Sequence, residues 1–197
     1  MTIRQQILRL AYPALTGLQR RLVPGRRLRR VNAESRPPAR PLYSLSVELG
    51  DGKTLPLSAM QGTWILLVNT ASDCGYTAQL AELQALVDRH GKEVAVIGFP
   101  SNEFRQQEKG TDEEIGRFCQ LHYGVRFPLA KKSSVLPGSG QHPVYTWLTD
   151  ARLNGWNDRA PEWNFTKYLV NRQGILTHYF APAVSPLDEE ILAQIKT

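Results

Sequence analysis

Two apolar runs, Trp64–Asn69 and Glu93–Phe99, dominate the hydrophobic pattern of the chain. Runs without polar alternation are typical of strands buried on both faces of a sheet. Between them, residues 78–90 repeat apolar side chains at the spacing of one helix face, and Thr77 precedes them as a candidate N-cap. This strand–helix–strand order predicts two parallel strands joined by a right-handed crossover.

Turn residues between shorter apolar segments predict two β-hairpins. Gly50-Asp51-Gly52 separates Tyr43–Glu48 from Thr54–Leu57, and a polar Asn-Arg-Gln-Gly turn separates Phe165–Val170 from Ile175–Phe180. The first pair would form an N-terminal hairpin. The second pair would contribute antiparallel strands, so the sheet is expected to be mixed.

Capping signals predict two further helices. Thr111 and Glu114 have the spacing of a capping box, which begins a helix that runs to Tyr123. Ser185 stands before Pro186 as a cap before a proline at the first helical position, which predicts the last helix. The economical arrangement is an α/β fold in which helices cover both faces of a central mixed sheet.

The chain length and the charge distribution suggest one domain with a basic extension. The chain has 197 residues, 42% of them hydrophobic, which is enough for one domain with a core. The net charge of +6 is uneven, because residues 1–40 contain ten arginines and one acid, Glu34. The Pro- and Arg-rich residues 23–41 predict an extended linker. We therefore divide the chain into a basic extension with its linker, residues 1–41, and one domain, residues 42–197.

The basic extension has three interpretations. Residues 1–22 place apolar side chains among arginines, which is typical of an amphipathic helix on an anionic membrane surface and equally of an organellar presequence. The third interpretation is a solvated arm. No apolar run fits a secretory signal or a membrane-spanning helix. We expect a cytoplasmic protein, free or peripheral to a membrane, or else import into an organelle with cleavage of the extension; nucleic acid is not expected as a partner.

Cys74 and Cys119 are the two cysteines of the chain, and their separation excludes a Cys-x-x-Cys redox motif and paired zinc ligands. Cys74 lies in the predicted turn between a buried strand and a helix start, where unpaired N–H groups favour the nucleophilic thiolate. Its small or polar neighbours indicate an accessible sulfur, although the Asp73 carboxylate would raise the pKa of the thiol. Cys119 falls on the apolar face of its helix, which by itself indicates core packing.

Three segments occur in order along the chain: Asn69–Thr77 around Cys74, Gly98–Glu108, and Trp163–Val170. They resemble the three motifs of the glutathione peroxidase family, in the form that has cysteine in place of selenocysteine. The similarity runs from about Tyr43 to the C-terminus, so the basic extension lies outside it.

The resemblance implies a thioredoxin-like fold and four catalytic residues, Cys74, Gln107, Trp163 and Asn164. Amide and indole groups are neutral hydrogen-bond donors, which can stabilise a thiolate and the oxygen that leaves a peroxide. The implied enzyme is a peroxidase that acts on hydrogen peroxide and on organic or lipid hydroperoxides. It requires no metal, flavin or nucleotide cofactor.

Residues 117–124 around Cys119 look like the resolving-cysteine segment of thioredoxin-dependent members of the family. The connection from Leu148 to Trp163 also lacks the insertion that tetrameric members carry. The resemblance therefore implies a monomer in which Cys119 forms a disulfide with oxidised Cys74 and thioredoxin reduces it. Two alternatives remain: glutathione is the direct reductant and Cys119 is structural, or the protein is a peroxide sensor that passes its oxidation to a partner.

The chain departs from the family pattern at four positions. Ser101 replaces a frequent cysteine, Glu103 and Arg105 stand where glutamine and glycine are usual, and Asp73 stands where lysine is frequent. We expect these departures to affect reductant recognition and the thiol pKa rather than the type of reaction.

Overall fold

The computed structural model describes residues 2–3, 5–8, 10–12, 14 and 28–196. The strands are β1 Arg29–Val31, β2 Ser46–Glu48, β3 Thr54–Pro56, β4 Trp64–Thr70, β5 Val94–Pro100, β6 Lys167–Val170 and β7 Leu176–Phe180. The helices are α1 Gln79–His90, α2 Asp112–Tyr123, α3 Pro143–Thr149, α4 Ala151–Asn154 and α5 Glu189–Ile195, with short 3-10 helices at Leu42–Ser44 and Leu57–Met60.

The central sheet has five strands in the order β1-β7-β6-β4-β5, and β2 and β3 form a separate antiparallel hairpin. β4 and β5 pair in parallel, whereas β4 with β6, β6 with β7 and β1 with β7 pair antiparallel. The predicted mixed sheet, the parallel pair and both hairpins are therefore confirmed.

Strand β4 divides the core into two layers, because all seven of its residues are buried and successive side chains point to opposite faces. Leu66 and Val68 join the cluster that includes side chains of α1, α2 and α5. Ile65 and Leu67 join the opposite cluster with side chains of α3. Helices thus cover both faces of the sheet, and the end of β4 emerges between the two layers.

Part of the predicted linker packs on the domain. β1 lies within residues 23–41 and is an edge strand whose Arg29 is paired with Phe180 of β7. The guanidinium of Arg29 contacts the carboxylate of Asp188 at 2.9 Å. Farther along, the backbone oxygen of Arg40 accepts a hydrogen bond from the indole of Trp147 at 2.7 Å. A three-residue strand rich in arginine has little intrinsic strand signal, so these tertiary contacts hold it.

The beginning of the chain is helical at the described positions 3, 5–8, 10–12 and 14. The remainder of the amphipathic helix predicted over residues 1–22 lies outside the described residues. In the part of the chain that the structure describes, no helix is long and apolar enough to cross a membrane.

Two predicted helix starts are wrong. Helix α5 begins later than Ser185: Asp188 is its N-cap and accepts a hydrogen bond from the Glu190 N–H. The Ser185 hydroxyl instead donates to the Glu82 carboxylate at 2.6 Å. Thr77 is not the N-cap of α1, because its hydroxyl accepts a hydrogen bond inside the preceding turn. The N-cap position is occupied by Ala78, which has no side chain that can cap the helix. Helices α3 and α4 were not predicted.

The capping box at the start of α2 is confirmed and generates a prediction about stability. The Thr111 hydroxyl accepts from the Glu114 N–H at 3.3 Å, and the Glu114 carboxylate accepts from the Thr111 N–H at 2.8 Å. Replacing Thr111 with alanine should lower the free energy of unfolding by about 1 kcal/mol, because one helix N–H loses its acceptor. Urea unfolding measures the loss. Thr111→Ser keeps the hydroxyl and should retain most of the stability; equal losses in both variants would contradict the capping role.

Candidate active site

The turn that carries Cys74 connects the end of β4 to the start of α1 and is closed by Thr77. The Thr77 hydroxyl accepts a hydrogen bond from the Cys74 N–H at 3.0 Å and is 2.9 Å from the backbone oxygen of Ala71. The Cys74 carbonyl in turn accepts from the Thr77 N–H at 3.1 Å. Thr77 therefore shapes the cysteine turn, which explains why it does not cap the helix.

The sulfur of Cys74 lies at the meeting point of three chain segments. The side chain is 1% exposed. Within the turn, the Tyr76 N–H points at the sulfur at 3.4 Å. From the segment before β6, the indole of Trp163 and the amide of Asn164 also hydrogen-bond to it. The expectation of an accessible sulfur is wrong for this state, because tertiary contacts enclose a turn that is locally polar.

Burial has the largest effect on the pKa of Cys74. It raises the pKa of the thiol above the ordinary value, and it outweighs the Tyr76 N–H, Trp163 and Asn164, each of which lowers the pKa. The Asp73 carboxylate adds a smaller contribution in the raising direction. The raised pKa opposes the thiolate that was expected at a helix start. Cys74 stands five positions before the first residue of α1, and uncharged donors do not offset the loss of water.

Gln107 joins this group through Asn164. The Asn164 amide donates to the Gln107 side-chain oxygen at 2.9 Å. The backbone oxygen of Gln107 accepts from the Asp73 N–H at 3.1 Å, which ties the second segment to the cysteine turn. The side-chain oxygen of Asn164 is buried and has no hydrogen-bond partner within the described residues. Of the four predicted residues, Trp163 and Asn164 therefore hydrogen-bond to the sulfur of Cys74. The fourth, Gln107, hydrogen-bonds to Asn164.

Asn69 holds the Trp163 segment in place, a role that the sequence analysis missed. Its side-chain amide donates to the Trp163 carbonyl at 3.1 Å, and its side-chain oxygen accepts from the Thr166 N–H at 3.0 Å. Its backbone oxygen accepts from the Phe165 N–H at 2.7 Å, where Phe165 adopts a left-handed φ of 66°. A polar residue that ends a buried apolar strand was the available signal, because a fully buried amide requires partners.

Two of the departures from the family pattern have structural explanations. Arg105 has a left-handed φ of 54°, a conformation that glycine adopts more easily, and its guanidinium lies 5.6 Å from the centre of the Trp163 ring. The cation–π contact offsets part of the backbone strain. The Glu103 carboxylate accepts hydrogen bonds from the hydroxyls of Ser101 and Ser134, so it organises a neighbouring loop.

The family model described as "Glutathione peroxidase" matches residues 42–149, which is more than half of the chain. The chain belongs to the glutathione peroxidase family. It is 41% identical over 150 residues to the glutathione peroxidase homolog BsaA of Staphylococcus aureus, covering 76% of this chain and 94% of that protein.

Two further relatives agree. The hydroperoxy fatty acid reductase gpx1 of Synechocystis sp. is 42% identical over 163 residues, covering 79% of this chain and 94% of that protein. The crystal structure of T. cruzi GPX1 superposes with a TM-score of 0.61 at 27% identity, covering 80% of this chain and 97% of that one. The predicted thioredoxin-like fold and the assignment as a peroxidase are therefore confirmed.

The second cysteine of this peroxidase is buried on the same side of the sheet. Cys119 lies on α2, is 2% exposed and belongs to the same core cluster as Cys74. Both cysteines are free thiols. Burial, with a contribution from the Glu108 carboxylate, raises the pKa of Cys119 to about 12. A cleft of about 400 Å³ is lined by Ser72 and Asp73 of the cysteine turn and by Phe118 of α2.

Glu108 is a buried carboxyl that contacts Ser72 and acts on Cys119, and the sequence analysis did not single it out. It is 2% exposed, and burial raises its pKa to about 7 against opposing contributions from Ser72 and Lys132. Among the described residues, no cluster of three or more His, Cys, Asp or Glu side chains could hold a metal ion. Burial thus brings the pKa of the Glu108 carboxyl close to neutral pH.

The raised pKa of Glu108 predicts a pH-dependent stability. In the unfolded chain this carboxyl ionises near 4.5 and in the folded protein near 7, so its stabilising contribution is complete below pH 4.5 and is lost as the pH rises through 7. Glu108→Gln cannot ionise. Its unfolding free energy relative to wild type should therefore increase by roughly 3 kcal/mol between pH 4.5 and pH 7.5.

The comparison between the two proteins is needed because His178 titrates in the opposite sense. Burial and Arg29 lower the pKa of His178 to about 4, so its contribution is lost as the pH falls. Both proteins contain His178, so its contribution cancels in the difference between their unfolding free energies, measured by urea unfolding at a series of pH values. A difference that does not change with pH would contradict the buried, protonated state of Glu108.

Proposed function

We propose that this peroxidase reduces hydroperoxides with Cys74 and closes the cycle through a Cys74–Cys119 disulfide that thioredoxin reduces. The observation that carries the proposal is the enclosure of the Cys74 sulfur by the uncharged donors Trp163 and Asn164, with Gln107 behind them. The name of the Synechocystis relative supports fatty acid hydroperoxides among the substrates. No prosthetic group takes part in the proposed reaction.

In the first step the Cys74 sulfur attacks one oxygen of the hydroperoxide. A sulfur–oxygen bond forms as the oxygen–oxygen bond breaks, and the leaving oxygen takes up the thiol proton, which yields water or an alcohol and a Cys74 sulfenic acid. Negative charge is shared by the sulfur and the leaving oxygen as this happens. The indole of Trp163 and the amide of Asn164 are placed to donate to that charge, and their effect is large because the site excludes water.

In the second step the Cys119 sulfur attacks the Cys74 sulfur. A sulfur–sulfur bond forms, and the hydroxyl of the sulfenic acid leaves as water with the Cys119 proton. Cys119 is 2% exposed on an intact helix, so the C-terminal part of α2 must open for the sulfurs to meet. A dithiol of thioredoxin then reduces the disulfide by exchange and is itself oxidised.

The choice of thioredoxin rests on the segment around Cys119 and on the short connection from Leu148 to Trp163, which also supports a monomer. Glutathione as the direct reductant would leave Cys119 without a chemical role. A peroxide sensor would use the same two thiols and differ in the protein that reduces it. The kinetic experiments below separate these outcomes.

The contact between Asn164 and Gln107 predicts a non-additive pair of substitutions. Asn164→Ala removes a donor to the sulfur and should lower the second-order rate constant for peroxide reduction by about 100-fold. Gln107→Ala acts through Asn164 and should lower it less. The double variant should be no slower than Asn164→Ala, because Gln107 then has nothing left to position. Multiplicative losses, measured by stopped-flow fluorescence of the peroxide reaction, would contradict the indirect role of Gln107.

If Cys119 is the resolving cysteine, Cys74→Ser and Cys119→Ser should lose peroxide turnover in different ways. Cys74→Ser should abolish peroxide turnover with every reductant. Cys119→Ser should still react once with peroxide but should lose at least 90% of thioredoxin-supported turnover, an order-of-magnitude expectation for removal of one step in a cycle. Coupled assays with thioredoxin and with glutathione measure both.

Three results would change the proposal. Full thioredoxin-supported turnover in Cys119→Ser would contradict the resolving role. Faster turnover with glutathione than with thioredoxin in wild type would favour the first alternative. Slow turnover with both reductants, together with a trapped mixed disulfide to one other protein, would favour the sensor.

A further inference from the structure

The helical residues at the beginning of the chain lie against the catalytic turn. The side-chain amide of Gln5 donates to the backbone oxygen of Ser72 at 3.1 Å. Tyr12 is 6% exposed, and its ring meets the ring of Tyr76 edge to face with centroids 6.3 Å apart. Ser72 and Tyr76 stand two positions before and two positions after Cys74. The beginning of the chain is thus fixed to both sides of the reactive residue.

The opposite side of this helical segment is apolar and faces water. Ile3, Ile7 and Leu10 are 78%, 59% and 82% exposed, and their spacing of four and three residues places them on one helix face. The inward side is mixed, because the half-buried Leu8 accompanies Gln5 and the buried Tyr12. A surface helix of a globular protein normally turns its large apolar side chains toward the core, so three exposed ones on one face are unusual. We therefore expect this exposed apolar face to bind another surface.

The charge of the neighbouring chain indicates what that second surface is. Residues 1–27 contain six arginines and no acidic residue. An apolar helix face among arginines is the composition that binds the interface of an anionic bilayer, where each basic residue adds roughly 1 kcal/mol of attraction. A second copy of this chain would bring an equally basic segment to the same place, and the two would repel.

We propose that the face formed by Ile3, Ile7 and Leu10 inserts into the head-group region of an anionic lipid bilayer and holds the Cys74 turn at the membrane surface. An interfacial helix sinks about 5–10 Å into that region, and the helix itself is about 10 Å across. Since Gln5 and Tyr12 contact the catalytic turn from the other side of the helix, the turn lies roughly one helix diameter from the lipids. A hydroperoxide group on a lipid chain would then be the nearest substrate.

Vesicle binding by the full chain tests the docking surface. The probes are vesicles of phosphatidylcholine with and without phosphatidylglycerol. Wild type should sediment with the anionic vesicles and should be released by high salt, because the arginines contribute screened attraction. The triple variant Ile3→Ser, Ile7→Ser, Leu10→Ser should partition at least about tenfold less strongly.

A control variant replaces exposed apolar side chains that lie outside the proposed membrane face. Val31 and Leu121 are 49% and 67% exposed and lie elsewhere on the protein. The double variant Val31→Ser, Leu121→Ser should bind the anionic vesicles as wild type does. Equal binding by wild type and the triple variant would overturn the proposal. So would a wild-type dimer in sedimentation velocity that the triple substitution dissociates, because the apolar face would then be a contact between copies.

The activity arm of the test rests on the proposed function, whereas the binding arm does not. The triple variant should lose at least about tenfold in the rate on a phospholipid hydroperoxide embedded in anionic vesicles, following its lower partition, and should keep the wild-type rate on hydrogen peroxide in solution. Equal rates of wild type and triple variant on the embedded substrate would overturn the membrane placement. Absence of hydrogen peroxide turnover in wild type would contradict the proposed function, and vesicle binding alone would then decide the docking surface.

Discussion

The enclosure of the Cys74 sulfur is the constraint on which the rest of the site depends. A sulfur that is 1% exposed loses the solvation of its charged form, and the donors around it carry no charge of their own. Burial outweighs the donors, so the pKa of the resting thiol lies above its ordinary value. The donors lower this pKa without reversing the effect of burial. They are placed where charge appears as the oxygen–oxygen bond breaks, which is the arrangement that accelerates a reaction rather than stabilising its starting state.

That enclosure is possible because β4 ends where three segments meet. The turn after β4 supplies the sulfur, and Asn69 at the end of the same strand fixes the Trp163 segment with both groups of its side chain. The segment of Gln107 is tied to the turn through the Asp73 N–H. The bond from the Thr166 N–H to the Asn69 side-chain oxygen is buried, so loss of one partner there would leave the other unsatisfied. The position of the sulfur is thus set by strand β4 and the segments tied to it, and not by the turn alone.

Local signals predicted much of this fold, and tertiary contacts account for what they missed. The apolar runs of β4 and β5 and the capping box at Thr111 are strong local patterns, and the structure has them where they were predicted. β1 could not be predicted, because Arg29 is held by pairing with β7 and by Asp188. The same reason explains the burial of Cys74: its immediate neighbours are polar, and the side chains that cover it come from distant positions. The resemblance to family motifs identified these distant positions, which neither periodicity nor spacing could have done.

Titration of the Cys74 thiolate tests the central claim most directly. The ultraviolet absorbance of the thiolate, measured in Cys119→Ser as a difference from the variant that lacks both cysteines, reports Cys74 alone. The account predicts a midpoint above the ordinary pKa of cysteine, which rises further when Asn164 is replaced by alanine, since burial then acts with one donor fewer. A midpoint below the ordinary value, unchanged by Asn164→Ala, would show that the resting sulfur is ionised and that these donors do not control it.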